Sequence, residues 1–274
     1  MNEKILIIGG DSRQKHLTDI LSQKGYNCQR ENCTVGNVYS GLKNAKVVIL
    51  PIPFSSDGKL IYSDNPDFKL DAAELSEFIK PEQLVFGGMI KGEVKDIFER
   101  NNVIYKDICD YGYFIKFNAF LTAQGALRLL LNNTGSLIVG KKVLITGFGR
   151  VGKALALILK NVNMDVYIAA RSKEQLVEAD CLGLKTVNLK EMSTVIYLFD
   201  YIFNTVPENI FSEADISCQK DDSIYFELAS KPFGAEKSFF AKENKKYVFA
   251  GGLPGKYVAR SAAGIIAELV EHML

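Results

Sequence analysis

Short apolar runs alternate with longer amphipathic stretches from the start of the chain. Residues 4–8 (Lys-Ile-Leu-Ile-Ile) form an apolar run that stops at Gly9-Gly10-Asp11. From Gln14 to Lys24, Leu17, Ile20 and Leu21 recur at helical spacing, and Gly25 supplies a stop. Further strands are predicted at 46–50, 84–86 and 103–105, with helices over 70–79 and 93–100. Pro51 and Pro53 end the second strand, and Gly87-Gly88 end the third. A second series begins near residue 140. Strands are predicted at 142–146, 165–169, 184–187, 201–204, 223–227 and 247–250, with a helix over 153–161. Strand, glycine or proline turn, helix, repeated, is the signature of a parallel sheet with crossover helices. Residues 118–131, rich in Ala and Leu, read as a long helix between the two series, and 258–274 as a helical tail. Residues 55–68 form the longest predicted loop, a length that usually accompanies a function.

Composition narrows the class. The 274 residues carry a net charge of +1, with 47% hydrophobic and 24% charged positions. These are the proportions of a water-soluble globular protein, and they exclude a disordered chain. No apolar stretch approaches the ~18 residues of a membrane span. No basic, then apolar, leader precedes the first strand, so a cytoplasmic location is expected. The charge balance, with no basic stripe interleaved with aromatics, argues against nucleic acid or an anionic membrane as partner. Cys28, Cys33, Cys109, Cys181 and Cys218 are odd in number and scattered, which suits free thiols in a reducing compartment. His16 and His272 are the only histidines, so a multi-histidine metal site is excluded and no metal is expected.

The segment that carries chemistry is Gly147-Phe148-Gly149-Arg150-Val151-Gly152. It follows a predicted strand, opens a predicted helix and precedes another strand, which is the context a dinucleotide fingerprint requires. Gly147 permits the turn, Gly149 lets the backbone approach a pyrophosphate, and Gly152 lets helix and strand pack closely. Amides near Arg150 and Val151 then face the phosphates from a helix N-terminus. After the next strand stand Ala170-Arg171-Ser172, where an acidic residue would select an unphosphorylated ribose. Arg171 and Ser172 instead suit a 2′-phosphate, so NADP is the expected cofactor, with NAD as the alternative. Strand ends of one sheet face the same ligand, which adds Thr205, Val206, Pro207, Ala229, Ser230, Gly252 and Pro254 as cofactor candidates. The fold expected is α/β: two doubly wound Rossmann-like parallel-sheet domains joined by a long helix, the C-terminal helix packing back on the first. The boundaries are 1–118 plus 258–274 for a substrate domain and 119–257 for the NADP domain.

The chain resembles the family of the dipicolinate synthase A subunit. The resemblance rests on Gly9-Gly10-Asp11-Ser12-Arg13-Gln14, on the glycine motif with Ala170-Arg171-Ser172, and on Asn204-Thr205-Val206-Pro207. It rests further on Leu228-Ala229-Ser230-Lys231-Pro232-Phe233-Gly234 and Gly252-Leu253-Pro254-Gly255-Lys256. It implies a pyridine-nucleotide oxidoreductase that forms dipicolinate, in the mother cell of a sporulating bacterium, from a dihydrodipicolinate-type intermediate. Its implied partner is the smaller, flavoprotein-like B subunit of the same synthase. The two-domain plan is similar to that of the 2-hydroxyacid dehydrogenases, whose catalytic histidine has no counterpart here on a strand-end turn.

A ring dicarboxylate calls for cations and amides. Arg13, Lys231, Lys256 and Arg260 are the candidate cations, and Gly10, Pro53 and Gly88 the strand-end positions of the first series. Arg13 and Lys256 are expected to clamp the carboxylates, with a structural Arg13–Asp11 pair as the alternative for Arg13. Asp11 and Lys256 are candidate catalytic groups. Loss of hydride and proton aromatises the ring, so positioning supplies much of the rate. Two other readings share the cofactor residues: an NADP-dependent dehydrogenase of another small carboxylate, and a non-catalytic nucleotide-binding protein. Homo-oligomers are common among such enzymes.

Overall fold

A computed structural model describes residues 3–274. The chain forms two compact units, one comprising the chain up to Asn118 together with Val258–Leu274, the other Ala119–Tyr257.

The first unit alternates strand and helix: β1 (Lys4–Ile8), α1 (Ser12–Gln23), β2 (Asn27–Glu31), α2 (Val35–Leu42), β3 (Val47–Ile49), α3 (Ala72–Phe78), β4 (Leu84–Gly87), α4 (Glu93–Arg100) and β5 (Ile104–Asp107). The sheet is parallel throughout, in the order β2-β1-β3-β4-β5. Strand order reverses at β1, the feature that opens a crevice at the strand ends of doubly wound sheets. Leu6, Ile8, Val48, Leu50, Val85 and Phe98 are buried in its core. Helix α5 (Gly112–Asn133) starts in the first unit and continues into the second, six residues earlier than the apolar pattern alone suggests.

The second unit contains β6 (Lys142–Thr146), α6 (Arg150–Asn161), β7 (Asp165–Ala170), α7 (Lys173–Cys181), β8 (Lys185–Asn188), β9 (Tyr201–Asn204), α8 (Glu213–Ser217), β10 (Ile224–Glu227), α9 (Lys237–Lys242), β11 (Lys246–Phe249) and α10 (Leu253–Tyr257). Between β8 and β9 the chain makes only short 3-10 turns, Leu189–Thr194 and Ile196–Leu198. The parallel order is β11-β10-β9-β6-β7-β8, so here the reversal falls at β6. Alternate residues of β6 serve opposite faces: Val143 and Ile145 join one apolar cluster and Leu144 the other. Phe203 and Phe226 stack in the first cluster with centroids 4.5 Å apart. Helix α11 (Ala259–Met273) belongs to the first unit and packs on α1. Among the described residues no helix is long and apolar enough to cross a membrane.

In the first unit two elements escape the hydrophobic pattern, and in the second the helices α7, α8, α9 and α10 do. Strand β2 is Asn-Cys-Gln-Arg-Glu, an edge strand held by ladder bonds to β1 rather than by an apolar face. Helix α2 carries two glycines and two valines, a poor helical composition, and is held by burial of Val38 and Leu42. The loop at 55–68 is tied down. Asp57 accepts from the amides of Lys59 and Leu60 at 2.8 and 3.0 Å, and bridges join Ser55 to Ile61 and Gly10 to Ser63.

Candidate functional site

The glycine turn after β6 is built as the sequence predicts. Gly147 has φ +85°, and a Cβ there would lie 2.7 Å from Thr205 Oγ1. A Cβ on Gly152 would lie 2.3 Å from the Gly147 carbonyl oxygen. At Gly149 it would meet nothing within 4 Å. Two glycines therefore serve close packing, and the third leaves space free in front of α6. Gly149 is the N-cap of α6 and provides no side-chain cap, so the first amides keep their hydrogen-bonding capacity for a ligand.

A groove of 520 Å³ opens at this turn. Gly147, Phe148, Gly149, Arg150 and Val151 line its centre. Arg171 and Ser172 line one side, and Thr205, Val206 and Pro207 the other. Ala170, Gln175, Leu189 and Glu208 also line it, and sequence reasoning missed them. The free helix end and the open space at Gly149 fit a dinucleotide pyrophosphate. Ala229, Ser230, Gly252 and Pro254 do not line this groove. Pro254 is buried in α10, a short helix where the sequence suggested a turn. Lys256 lies on the same helix with its Nζ 5.9 Å from the Phe249 ring centroid.

Beneath the groove lies a polar network that sequence reasoning did not find. Glu227 is fully buried at the end of β10. Its Oε1 accepts from Asn204 Nδ2 at 2.7 Å and the Ala229 amide at 3.0 Å. Its Oε2 accepts from the Tyr225 hydroxyl at 3.0 Å and the Gly234 amide at 2.9 Å. Burial pushes the Glu227 carboxyl above its ordinary value, against the pull of these four donors. Asn204 in turn accepts from the Thr146 hydroxyl at 2.6 Å and the Val206 amide at 3.1 Å. The network thus joins the ends of β6, β9 and β10 and fixes the Thr205–Val206 wall. The signal in the sequence was a lone acid, Glu227, closing an otherwise apolar strand.

The matching turn of the first unit is closed by the chain itself. Asp11 caps α1, accepting from the Arg13 amide at 2.9 Å, while the Asp11 amide donates to Gln14 Oε1 at 3.0 Å. The buried Arg13 guanidinium pairs with the same carboxylate, Nε to Oδ1 at 2.9 Å and Nη2 to Oδ2 at 2.8 Å. Burial raises the Asp11 carboxyl, but the Arg13 hydrogen bonds and charge prevail and hold it below the usual range. Both Asp11 carboxylate oxygens are thus engaged by Arg13. Arg13 takes the alternative expected of it, the structural pair. Gly10 is also committed, its amide to the Tyr62 carbonyl at 2.7 Å and its carbonyl to the Asp64 amide at 3.0 Å, both from the 55–68 loop. At Gly88 a Cβ would lie 2.5 Å from Ile52, so this position serves close packing of the turn; Pro53 follows Ile52 through a cis peptide. Arg260 lines a cavity of 70 Å³ with His16, Asp19, Ile20 and Gln23 of α1 rather than the β1 turn. Lys231 is exposed. His16 and His272 lie within α1 and α11.

Comparison with known proteins places the chain. Residues 4–109 match the family model for the N-terminal domain of the dipicolinate synthase A subunit. Residues 118–229 match that for the NAD binding domain of D-isomer specific 2-hydroxyacid dehydrogenases. The dipicolinate synthase A subunit of Bacillus subtilis (strain 168) is 23% identical over 285 residues, covering 99% of this chain and 95% of the relative. The crystal structure of the dipicolinate synthase A subunit from Bacillus halodurans superposes with a TM-score of 0.84 at 19% identity, covering 99% and 97% of the two chains. That of the Bacillus subtilis protein gives 0.80 at 21%, covering 100% and 96%. The resemblance to dipicolinate synthase A subunits therefore extends along the whole chain, and most of its second unit resembles an NAD binding domain.

Proposed function

We propose that this chain is the dehydrogenase component of a dipicolinate synthase, oxidising a dihydrodipicolinate-type ring dicarboxylate with a nicotinamide dinucleotide. The observation that carries the reading is the uncapped end of α6 facing the open space at Gly149, in a chain similar to the A subunit over its full length. Gly147 to Val151 hold the pyrophosphate, and Thr205 to Pro207 flank the dinucleotide. Arg171 and Ser172 receive a 2′-phosphate, which makes NADP the preferred dinucleotide and NAD a competent one. A bound nicotinamide dinucleotide would supply the hydride-accepting chemistry, the accompanying ring proton leaving to water.

The chain's own residues bind and orient the substrate. Lys231 and Lys256 are the cations proposed for its carboxylates, since among the described residues neither has an acidic partner within 4.0 Å. Arg13, held by Asp11, maintains the β1 turn instead. Aromatisation of the ring drives the reaction, and positioning lowers its barrier. The smaller B subunit completes the enzyme, and the reading places it in the cytoplasm of a sporulating cell.

The test supplies pyruvate and aspartate semialdehyde with their condensing enzyme, so that fresh intermediate is present. Dipicolinate is followed with NADP, NAD or neither, each with and without the B subunit. Dinucleotide-dependent dipicolinate formation is expected. Tight dinucleotide binding without dipicolinate, even when the B subunit is supplied, would overturn the substrate assignment.

A further inference from the structure

One chemically strong group on the groove has no part in that reading. Glu208 follows Pro207 on the loop after β9, and its carboxylate is paired with Arg171. Arg171 Nη1 donates to Oε2 at 2.8 Å and Nη2 to Oε1 at 3.0 Å, a two-pronged guanidinium–carboxylate contact. Strands β7 and β9 lie on opposite sides of β6. The pair therefore runs from one wall of the groove to the other, past the glycine turn. The cation expected to receive a 2′-phosphate already holds a carboxylate.

We propose that Glu208 is a specificity-determining residue, which competes with a ribose 2′-phosphate for Arg171 and so narrows the preference for NADP over NAD. The inference rests on the reading that the adenosine ribose lies beside Arg171. The end of β7 lacks the acidic residue that selects an unphosphorylated ribose, and Glu208 supplies that charge from the opposite wall. Both side chains are more than half exposed, at 65% for Arg171 and 51% for Glu208. A pair in that setting is weak, so a phosphate dianion can displace the carboxylate. The displaced carboxylate stays on the same rim and repels the phosphate that replaced it. A ligand with a free 2′-hydroxyl disturbs neither group. Glu208 thus acts against one ligand only, and its effect weakens with salt because both partners face water.

The test is calorimetric titration of the full chain with adenosine 2′,5′-bisphosphate and with adenosine 5′-monophosphate, which needs neither substrate nor turnover. Wild type, Glu208→Gln, Arg171→Met and the double variant are compared. In Glu208→Gln the ratio of bisphosphate to monophosphate affinity is expected to rise about tenfold, or ~1.4 kcal/mol. The rise comes from tighter bisphosphate binding, shrinks in high salt, and falls by at least half when Arg171 is already Met. An unchanged ratio in Glu208→Gln, or an equal rise in both backgrounds, would overturn the role given to Glu208 while leaving the groove intact. Failure of wild type to bind either nucleotide would overturn the cofactor reading and this inference with it.

Discussion

Replacing Gly149 with Ala separates the stability of the dinucleotide groove from its use. The residue has φ −78° and ψ −167°, which alanine adopts without strain, and its Cβ would meet nothing within 4 Å. Restricting the unfolded chain stabilises by about 0.4–1 kcal/mol, while alanine is a poorer N-cap than glycine by a similar amount. The two terms oppose each other, so stability stays within about 1 kcal/mol of wild type. Binding behaves differently. On the proposed reading the new methyl enters the open space through which the pyrophosphate approaches the turn, and it holds a phosphate away from the Arg150 and Val151 amides. Two hydrogen bonds to a charged group, at ~1.5–3 kcal/mol each, are lost. Dinucleotide affinity falls at least a hundredfold, the equivalent of ~2.7 kcal/mol. Gly152→Ala gives the opposite signature, because its Cβ would lie 2.3 Å from backbone oxygen. Something must shift there, and ~1–3 kcal/mol of stability is lost even without ligand. Urea denaturation of the ligand-free protein and calorimetric titration with NADP and NAD measure the two quantities separately. Gly149→Ala binding within threefold of wild type, or losing as much stability as Gly152→Ala, would refute the reasoning.

Three further outcomes are expected. Glu227→Gln places an amide NH₂ against donors whichever way it turns, leaving the Ala229 or Gly234 amide unsatisfied, so urea denaturation should show a loss of ~2–3 kcal/mol and calorimetry a weaker dinucleotide. Arg13→Met removes the partner of the half-buried Asp11 and should cost ~1–3 kcal/mol near neutral pH. Because the Asp11 carboxyl is held below its ordinary value, its contribution is present above the usual carboxylate range and lost as pH falls through the folded-state value. The gap between wild type and Arg13→Met should therefore close in acid, as measured by denaturation midpoints across a pH series. Lys231→Ala and Lys256→Ala should each raise KM for the ring dicarboxylate about tenfold, one charged contact's worth, with dinucleotide affinity unchanged; an unchanged KM in both would remove them from substrate binding.

The parallel sheets were legible because their central strands are apolar on both faces, as in Ile5 to Ile8 and Val143 to Ile145. The glycine motif was legible because its spacing is imposed by backbone geometry, and the groove gathers ten of the residues expected to bind cofactor. What stayed hidden depends on partners distant in sequence. Strand β2 has no apolar face, and only its ladder to β1 reveals it. Asn204 and Glu227 are polar residues closing separate strands, and their meeting at 2.7 Å requires β9 and β10 to be neighbours. Glu208 lies 37 positions from Arg171, and no local pattern links them. Arg13 shows the converse. Its partner is two residues away, so the pair with Asp11 was an available reading, and the structure shows that pair at 2.9 Å with Arg13 buried.

The discontinuous make-up of the first unit has a consequence during synthesis. Its sheet is complete by Asp107, yet α11, which packs on α1, is encoded after the whole of the second unit. At about 5–20 residues per second, the intervening residues occupy the ribosome for on the order of ten seconds. Over that interval the face of α1 that receives α11 is without its cover, while residues 119–257 emerge as a segment able to collapse on its own core. The first unit is thus begun before the second and covered after it. A nascent chain stalled short of Val258 should present the α11-facing side of α1 to chaperones, and the same chain extended through Met273 should not.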